Sequence, residues 1–243
     1  MGNAEWVRVS HSAFRNRDSA FAMFIGHFAI GFASKRVAPN ASLAPLLAAP
    51  ILADLLWPVF LLLGVERVQI HAPGGNPFLT LTFTAYPWSH SLVMNVVWAG
   101  LFGGVYYAIT KYGRGTLVIA LAVVSHWVLD VVTHVPDMPL SPWSPPLIGL
   151  GLWNSVPATV GVESLMFVAG VWLYSVGTAA RDRIGRYGWW GLVLFVVIGY
   201  VMSLRGAPPP SVAALAWTGV VAGVLTTFWA WWVDRHRAPR VGT

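Results

Sequence analysis

The feature that most limits this chain is a series of apolar runs, each long enough for a bilayer and separated by short charged or Pro/Gly-rich connectors. A hydrocarbon core of roughly 30 Å calls for about 20 apolar residues per helix. That rule predicts helices at 18–37, 43–64, 89–110, 115–135, 156–178, 187–204 and 211–233. The expected fold class is therefore all-α: a polytopic transmembrane helical bundle of about seven helices, forming a single integral membrane domain over residues 1–243. Breakers separate the runs, among them Pro39-Asn40, the stretch from Pro73 to Pro77, Lys111 to Arg114, the Pro-rich loop from Pro136 to Pro146, and Pro208 to Pro210. The run from Phe21 to Ala33 follows Arg8, Arg15 and Arg17 in the manner of a signal peptide. Lys35 and Arg36 follow it without a small-residue cleavage site, so a retained first span is expected. No internal repeat supports an inverted-repeat transporter.

Only 10% of the residues are charged, against roughly 25% in soluble domains. The net charge of +6 does not point to nucleic acid, because the basic residues sit in short clusters between apolar runs. Such clusters set topology and meet anionic headgroups, so membrane lipid is the expected partner. Threading the seven spans puts ten Lys and Arg on one side, including Lys35, Lys111, Arg181 and Arg235, and five on the other. The positive-inside rule then predicts a cytoplasmic C-terminus and an outer N-terminus. With no cysteine in the sequence, a metal could be held only by imidazole and carboxylate.

Ionisable side chains inside spans are the informative ones, since each costs about 2.5–3.5 kcal/mol at a helix centre and needs a partner or a role. They are His27, Asp54, His90, His126, Asp130, His134 and Glu163. Spacing of four residues turns a side chain by only about 40° on a helix, so His126, Asp130 and His134 are expected on one face. The seven groups are expected to converge in the half of the bundle nearer the N-terminal side. Taken singly, His27 could bond a neighbouring carbonyl, His90 could cap a helix, and Glu163 could be a first-turn carboxylate. Glu66, Asp137, His71 and His236 fall in connectors and are expected to be solvated. Gly26 and Gly31 would let the first helix approach its neighbours closely. Most of the fourteen tryptophans, Trp57, Trp127, Trp153 and Trp189 among them, are expected in the interfacial belts.

In order, Gly26-His27, Ala53-Asp54, Ser89-His90-Ser91 and Ser125-His126 with Asp130 form a pattern that resembles the bacterial inner-membrane family of membrane-bound, metal-dependent hydrolases. The resemblance covers about residues 20 to 140. It departs at two places: Asp54 is followed by Leu55-Leu56 instead of a second carboxylate, and Tyr86-Pro87-Trp88-Ser89-His90-Ser91 lacks an earlier His and Arg. Either departure implies fewer metals, another substrate, or binding without catalysis. The ligand order is also similar to that of zinc-dependent phospholipase C. By that analogy Asp54, His90, His126 and Asp130 would surround one metal, and His27 with Asp130 would hold a second. His134 and Glu163 would serve another ion or orient the ligands.

The resemblance implies a divalent-metal hydrolase, with zinc as its cofactor, in a bacterial inner membrane, acting on a phosphoester or lipid-like substrate. Glu163 or Asp137 would be the general base, with His134 beside them, and the core of the site would span residues 20–165. A transporter or proton relay would instead continue polar groups to the opposite face, and a scaffold would use the same groups only to hold helices together.

Overall fold

The computed structural model describes residues 25–72 and 75–240. The start of the first expected span, the arginines at 8, 15 and 17, and Pro73-Gly74 lie outside the described residues. Among the described residues, six helices are long and apolar enough to cross a membrane. These are α2 (Leu43–Leu62), α3 (Leu92–Thr110), α4 (Gly113–Thr133), α5 (Val156–Gly177), α6 (Arg183–Arg205) and α7 (Val212–Arg235). A shorter helix, α1 (Ile25–Val37), precedes them. The chain is thus an all-α membrane bundle, and its boundaries fall within a few residues of those expected.

Local chemistry sets several of these boundaries. Ser91, Asp182 and Ser211 each accept a hydrogen bond from the backbone N–H three residues on, which caps α3, α6 and α7 at their N-termini. Helix α2 is interrupted: Leu43–Ala48 and Leu52–Leu62 are regular, but Ala49–Ile51 tightens to a 3-10 turn around Pro50. Proline has no N–H to give to the ladder, and such breaks survive in a membrane where they face protein or a cavity.

Helix α1 is central. Nine of its 13 residues are buried, with α5, α2 and α4 around it. A Cβ on Gly31 would stand 2.8 Å from the Leu47 Cα, as the expected close approach requires. Gly26 meets nothing closer than Met166 at 3.7 Å; the second tight contact is instead Gly170 of α5, where a Cβ would stand 2.6 Å from the Ala29 Cα. Phe32 is fully buried and edge-on to Trp189, 4.9 Å between ring centres. Trp57, Trp127, Trp153 and Trp189 are buried, a correction to their expected place in the belts. Each rings a polar site or fills the core, whereas Trp143 and Trp190 do face outward.

Among the described residues, three antiparallel two-stranded ribbons, not expected from the sequence, close the ends of the bundle. β1 (Arg67–Ile70) pairs with β2 (Leu81–Ala85), and β3 (Met138–Ser141) with β4 (Ser144–Ile148). β3 packs against the short helical turn Pro87–His90. At the opposite end β5 (Thr178–Ala180) pairs with β6 (Arg237–Pro239). That end is held by a closed polar network. Lys35 Nζ donates to the Ala41 carbonyl at 2.7 Å and to Asp234 Oδ2 at 2.8 Å. Asp234 also accepts from the Leu43 N–H and the Tyr174 hydroxyl, while Arg237 donates to Thr178 and to the Gly185 carbonyl.

Candidate metal centre

Helix α4 supplies the centre of the site. His126 and Asp130 lie one turn apart on its buried face, 1% and 2% exposed, and His126 Nε2 is 3.0 Å from Asp130 Oδ2. The other carboxylate oxygen, Oδ1, is 3.2 Å from His27 Nε2 on α1. His90, at the end of the Pro87–His90 turn, brings Nε2 to 3.5 Å from Asp54 Oδ1 on α2 and 3.9 Å from Asp130 Oδ2. The His126 ring centre is 4.3 Å from that of His27 and 5.0 Å from that of His90. All five residues expected as ligands therefore meet at one place, contributed by four separate parts of the chain.

Two sets of donors, His27/His126/Asp130 and Asp54/His90/His126, each have ligand atoms within 4.8 Å of one another and could hold a metal ion. None of the close ion pairs made by Asp54 or Asp130 among the described residues involves Lys or Arg. Two carboxylates among three imidazoles at membrane depth form a donor set that a divalent cation can balance.

Hydrogen bonds fix which nitrogens face the centre. His126 Nδ1 lies 2.9 Å from the Pro50 carbonyl, which can only accept, so Nδ1 carries a proton and Nε2 is the nitrogen turned to the centre. The break in α2 thus orients a side chain on α4. His90 is oriented through a relay: Ser89 Oγ donates to Glu66 Oε2 at 2.6 Å and so accepts from His90 Nδ1 at 2.6 Å. Glu66 Oε1 accepts the Trp88 and Ser89 backbone N–H groups at 2.8 Å each. Burial pushes the Glu66 carboxyl up from the usual range, and the hydrogen bonds from Ser89 and Trp88 pull against that rise.

Glu66 is 2% exposed, a correction to its expected solvation. The sequence signal was present but weak: it is the one carboxylate between Asp54 and Asp130. Asp137 is also less solvated than expected, its side chain 19% exposed, and it accepts from Tyr86 at 3.1 Å. Burial and that carboxylate hold the Tyr86 phenol well above its ordinary value, so it remains a donor. His71 is exposed beside Thr82, as expected, and His236 pairs with Asp182 at 2.6 Å.

His134 does not continue the stripe of His126 and Asp130. Helix α4 ends at Thr133, and His134 adopts an extended conformation as its C-cap. Its Nδ1 lies 2.9 Å from Asp137 Oδ1 and its ring lies against Trp153, 3.9 Å between centres. The helix end is closed by the returning loop, where the Leu150 and Gly151 N–H groups donate to the Val131 and His134 carbonyls, each at 2.7 Å. Glu163 is buried on α5 and shares a small separate void with His27 and Met166.

A narrow cavity of about 70 Å³ reaches the cluster. Asp54, His90, Asp130 and His134 line one end; Asp54 is the more accessible carboxylate, its side chain 42% exposed against 3% for Asp130. The remaining wall is mainly apolar and includes Leu215, Gly219 and Gly223 of α7, so the site extends beyond the expected core of residues 20–165.

Fold and site together define a helical membrane protein with a buried His/Asp cluster able to hold a metal ion. In comparisons with known proteins, no family model, no curated protein and no solved structure matches this chain.

Proposed function

We propose that this chain is a metal-dependent hydrolase of a bacterial inner membrane, using zinc to act on a phosphoester or lipid-like substrate. The observation that carries the reading is the convergence of His27, Asp54, His90, His126 and Asp130, in which every close ion pair of Asp54 and Asp130 among the described residues is made to an imidazole. Imidazole-rich sites with carboxylate suit zinc better than magnesium or calcium, which prefer all-oxygen shells. A divalent ion held there lowers the pKa of water and polarises a phosphoryl or carbonyl oxygen.

The protein's own groups divide the remaining work. His134 lines the cavity with Nδ1 held by Asp137, which leaves Nε2 free to take a proton from the attacking water and return it to the leaving oxygen. Asp137 sets the tautomer. Glu163, in its separate void, is the less well placed of the expected bases. Trp57, Phe83 and Leu215 in the cavity wall exclude bulk water and favour an amphiphilic substrate. A conduction path would need polar groups beyond the cluster, and the wall towards α7 is instead apolar.

The test is elemental analysis of purified wild-type and Asp130→Ala protein, with bis(p-nitrophenyl) phosphate and phospholipids as substrates. The expected result is about one zinc or more per wild-type chain, lost with the hydrolysis in Asp130→Ala. Folded wild-type protein with only trace metal would defeat the proposal.

A further inference from the structure

We infer that the cavity opens sideways between α2 and α7, through a portal closed by Leu55 lying over Gly223, and that its occupant is the acyl chain of a bilayer lipid. The inference deepens the hydrolase reading and rests on it for the chemistry at the inner end. The inner cavity joins four ionisable groups, Asp54, His90, Asp130 and His134, to an otherwise mainly apolar wall. A space polar at one end and apolar at the other matches an amphiphile, with its head at the carboxylates and its tail along the helices.

Behind that wall lies a second space. An almost wholly apolar groove runs along the outer face of the same helix pair, past Val59, Val220, Val224 and Phe228. Val224 and Phe228 are 63% and 61% exposed on a surface that faces lipid. Leu55 and Gly223 line both the inner cavity and the outer groove, so these two residues divide them. The closure is tight: a Cβ added to Gly223 would stand 2.3 Å from Leu55 Cδ2. It is also slight, because what fills the gap is the end of one flexible side chain and not backbone. A change of rotamer at Leu55, which takes roughly picoseconds to nanoseconds when a side chain is free to turn, would join the two spaces. Leu55 follows Asp54 directly, so the portal opens beside the carboxylate that faces the cavity.

The probe is phosphatidylglycerol with a diazirine on its acyl chain, placed in phosphatidylcholine vesicles with the full chain and photolysed. Labelled residues are mapped by mass spectrometry, and zinc is measured on the same samples. In wild type, label is expected on Phe83 and Leu215 inside and on Phe228 outside. Gly223→Leu is expected to lower inner labelling at least tenfold and leave Phe228 unchanged; Leu55→Ala is expected to raise inner labelling severalfold. Inner residues left unlabelled in wild type and in Leu55→Ala would overturn the portal, as would inner labelling unaffected by Gly223→Leu in folded protein. If Gly223→Leu does not fold, Leu55→Ala decides, and unchanged inner labelling there overturns it. Zinc without inner labelling defeats the portal and leaves the hydrolase standing. Inner labelling without zinc upholds the portal and defeats the hydrolase.

Discussion

The two ends of the bundle both bury ionisable groups, yet among the described residues only one of them pairs its carboxylate with a cationic side chain. At the basic end Lys35 and Asp234 neutralise each other, and Asp234 accepts additional hydrogen bonds from Leu43 and Tyr174. Arg237 spends its donors on Thr178 and Gly185. At the other end the close ion pairs of Asp54 and Asp130 among the described residues are all to imidazoles. A paired and hydrogen-bonded network is structural, and nothing is left for a ligand to do. A cluster with surplus carboxylate and oriented lone pairs has work left for a cation.

The largest effect that separates the ends is expected from His126→Ala. His126 belongs to both donor sets, so its loss removes bound metal altogether, with a fall in affinity on the order of 1,000-fold or more, because two sets lose a ligand at once. Chelator should then leave the variant's melting temperature unchanged while lowering that of wild type. A variant that still binds stoichiometric zinc would erase the distinction between the ends.

Lys35→Met is the converse. It leaves the Asp234 carboxylate buried without its cation, and breaking a buried pair in this way costs about 3–5 kcal/mol. Denaturation should report that loss while zinc content stays at the wild-type level. Metal lost together with stability would mean that the two ends are not independent.

A smaller effect tests the relay. In Glu66→Gln the amide nitrogen cannot accept from Ser89, so the hydroxyl turns to donate to His90 Nδ1. The proton then sits on Nε2 and a ligand lone pair is lost. Groups that orient metal ligands are worth about 10–100-fold in affinity, and a zinc titration should show a loss in that range without a change of fold. Affinity equal to wild type would show that Ser89 does not set the tautomer.

What could be read from the sequence differs between the ends for the same reason. His27, Asp54, His126 and Asp130 stand out because hydrocarbon surrounds them in the chain itself, where an acid or imidazole is costly. Glu66 does not stand out, since it falls just past a span where a charge costs nothing unless the fold buries it. Lys35 and Asp234 lie 199 residues apart, and only the packing of α1 against its neighbours turns two headgroup-like charges into a pair. The ribbons were partly visible: Leu81-Thr82-Phe83-Thr84 alternates with a period of two, the signature of a half-buried strand. Spacing alone puts His134 on the helical face, because it does not show that α4 stops at Thr133.

The smallest effect is at Asp182, on the basic end, and it separates a cap from a charge. Asp182 Oδ1 accepts the Gly185 N–H at 2.8 Å as the N-cap of α6, and Oδ2 meets His236 Nδ1 at 2.6 Å. The Gly185 N–H first, then His236, holds the Asp182 carboxyl below its ordinary value. A depressed carboxylate adds stability above its unfolded pKa of about 3.9, and that contribution fades as pH falls through the folded value. The group is fully exposed, so solvent screens the charge and the cap should dominate. Asn caps about as well as Asp, whereas Ala does not cap. Asp182→Asn should therefore melt with wild type from about pH 5 to 8, above that carboxylate transition, while Asp182→Ala melts earlier at every pH. Neither change should alter zinc content, because the ion belongs to the other end. If Asn lowered the melting temperature as far as Ala, the ion pair with His236 would be the stronger partner, and the basic end too would depend on a charge that its hydrogen bonds do not replace.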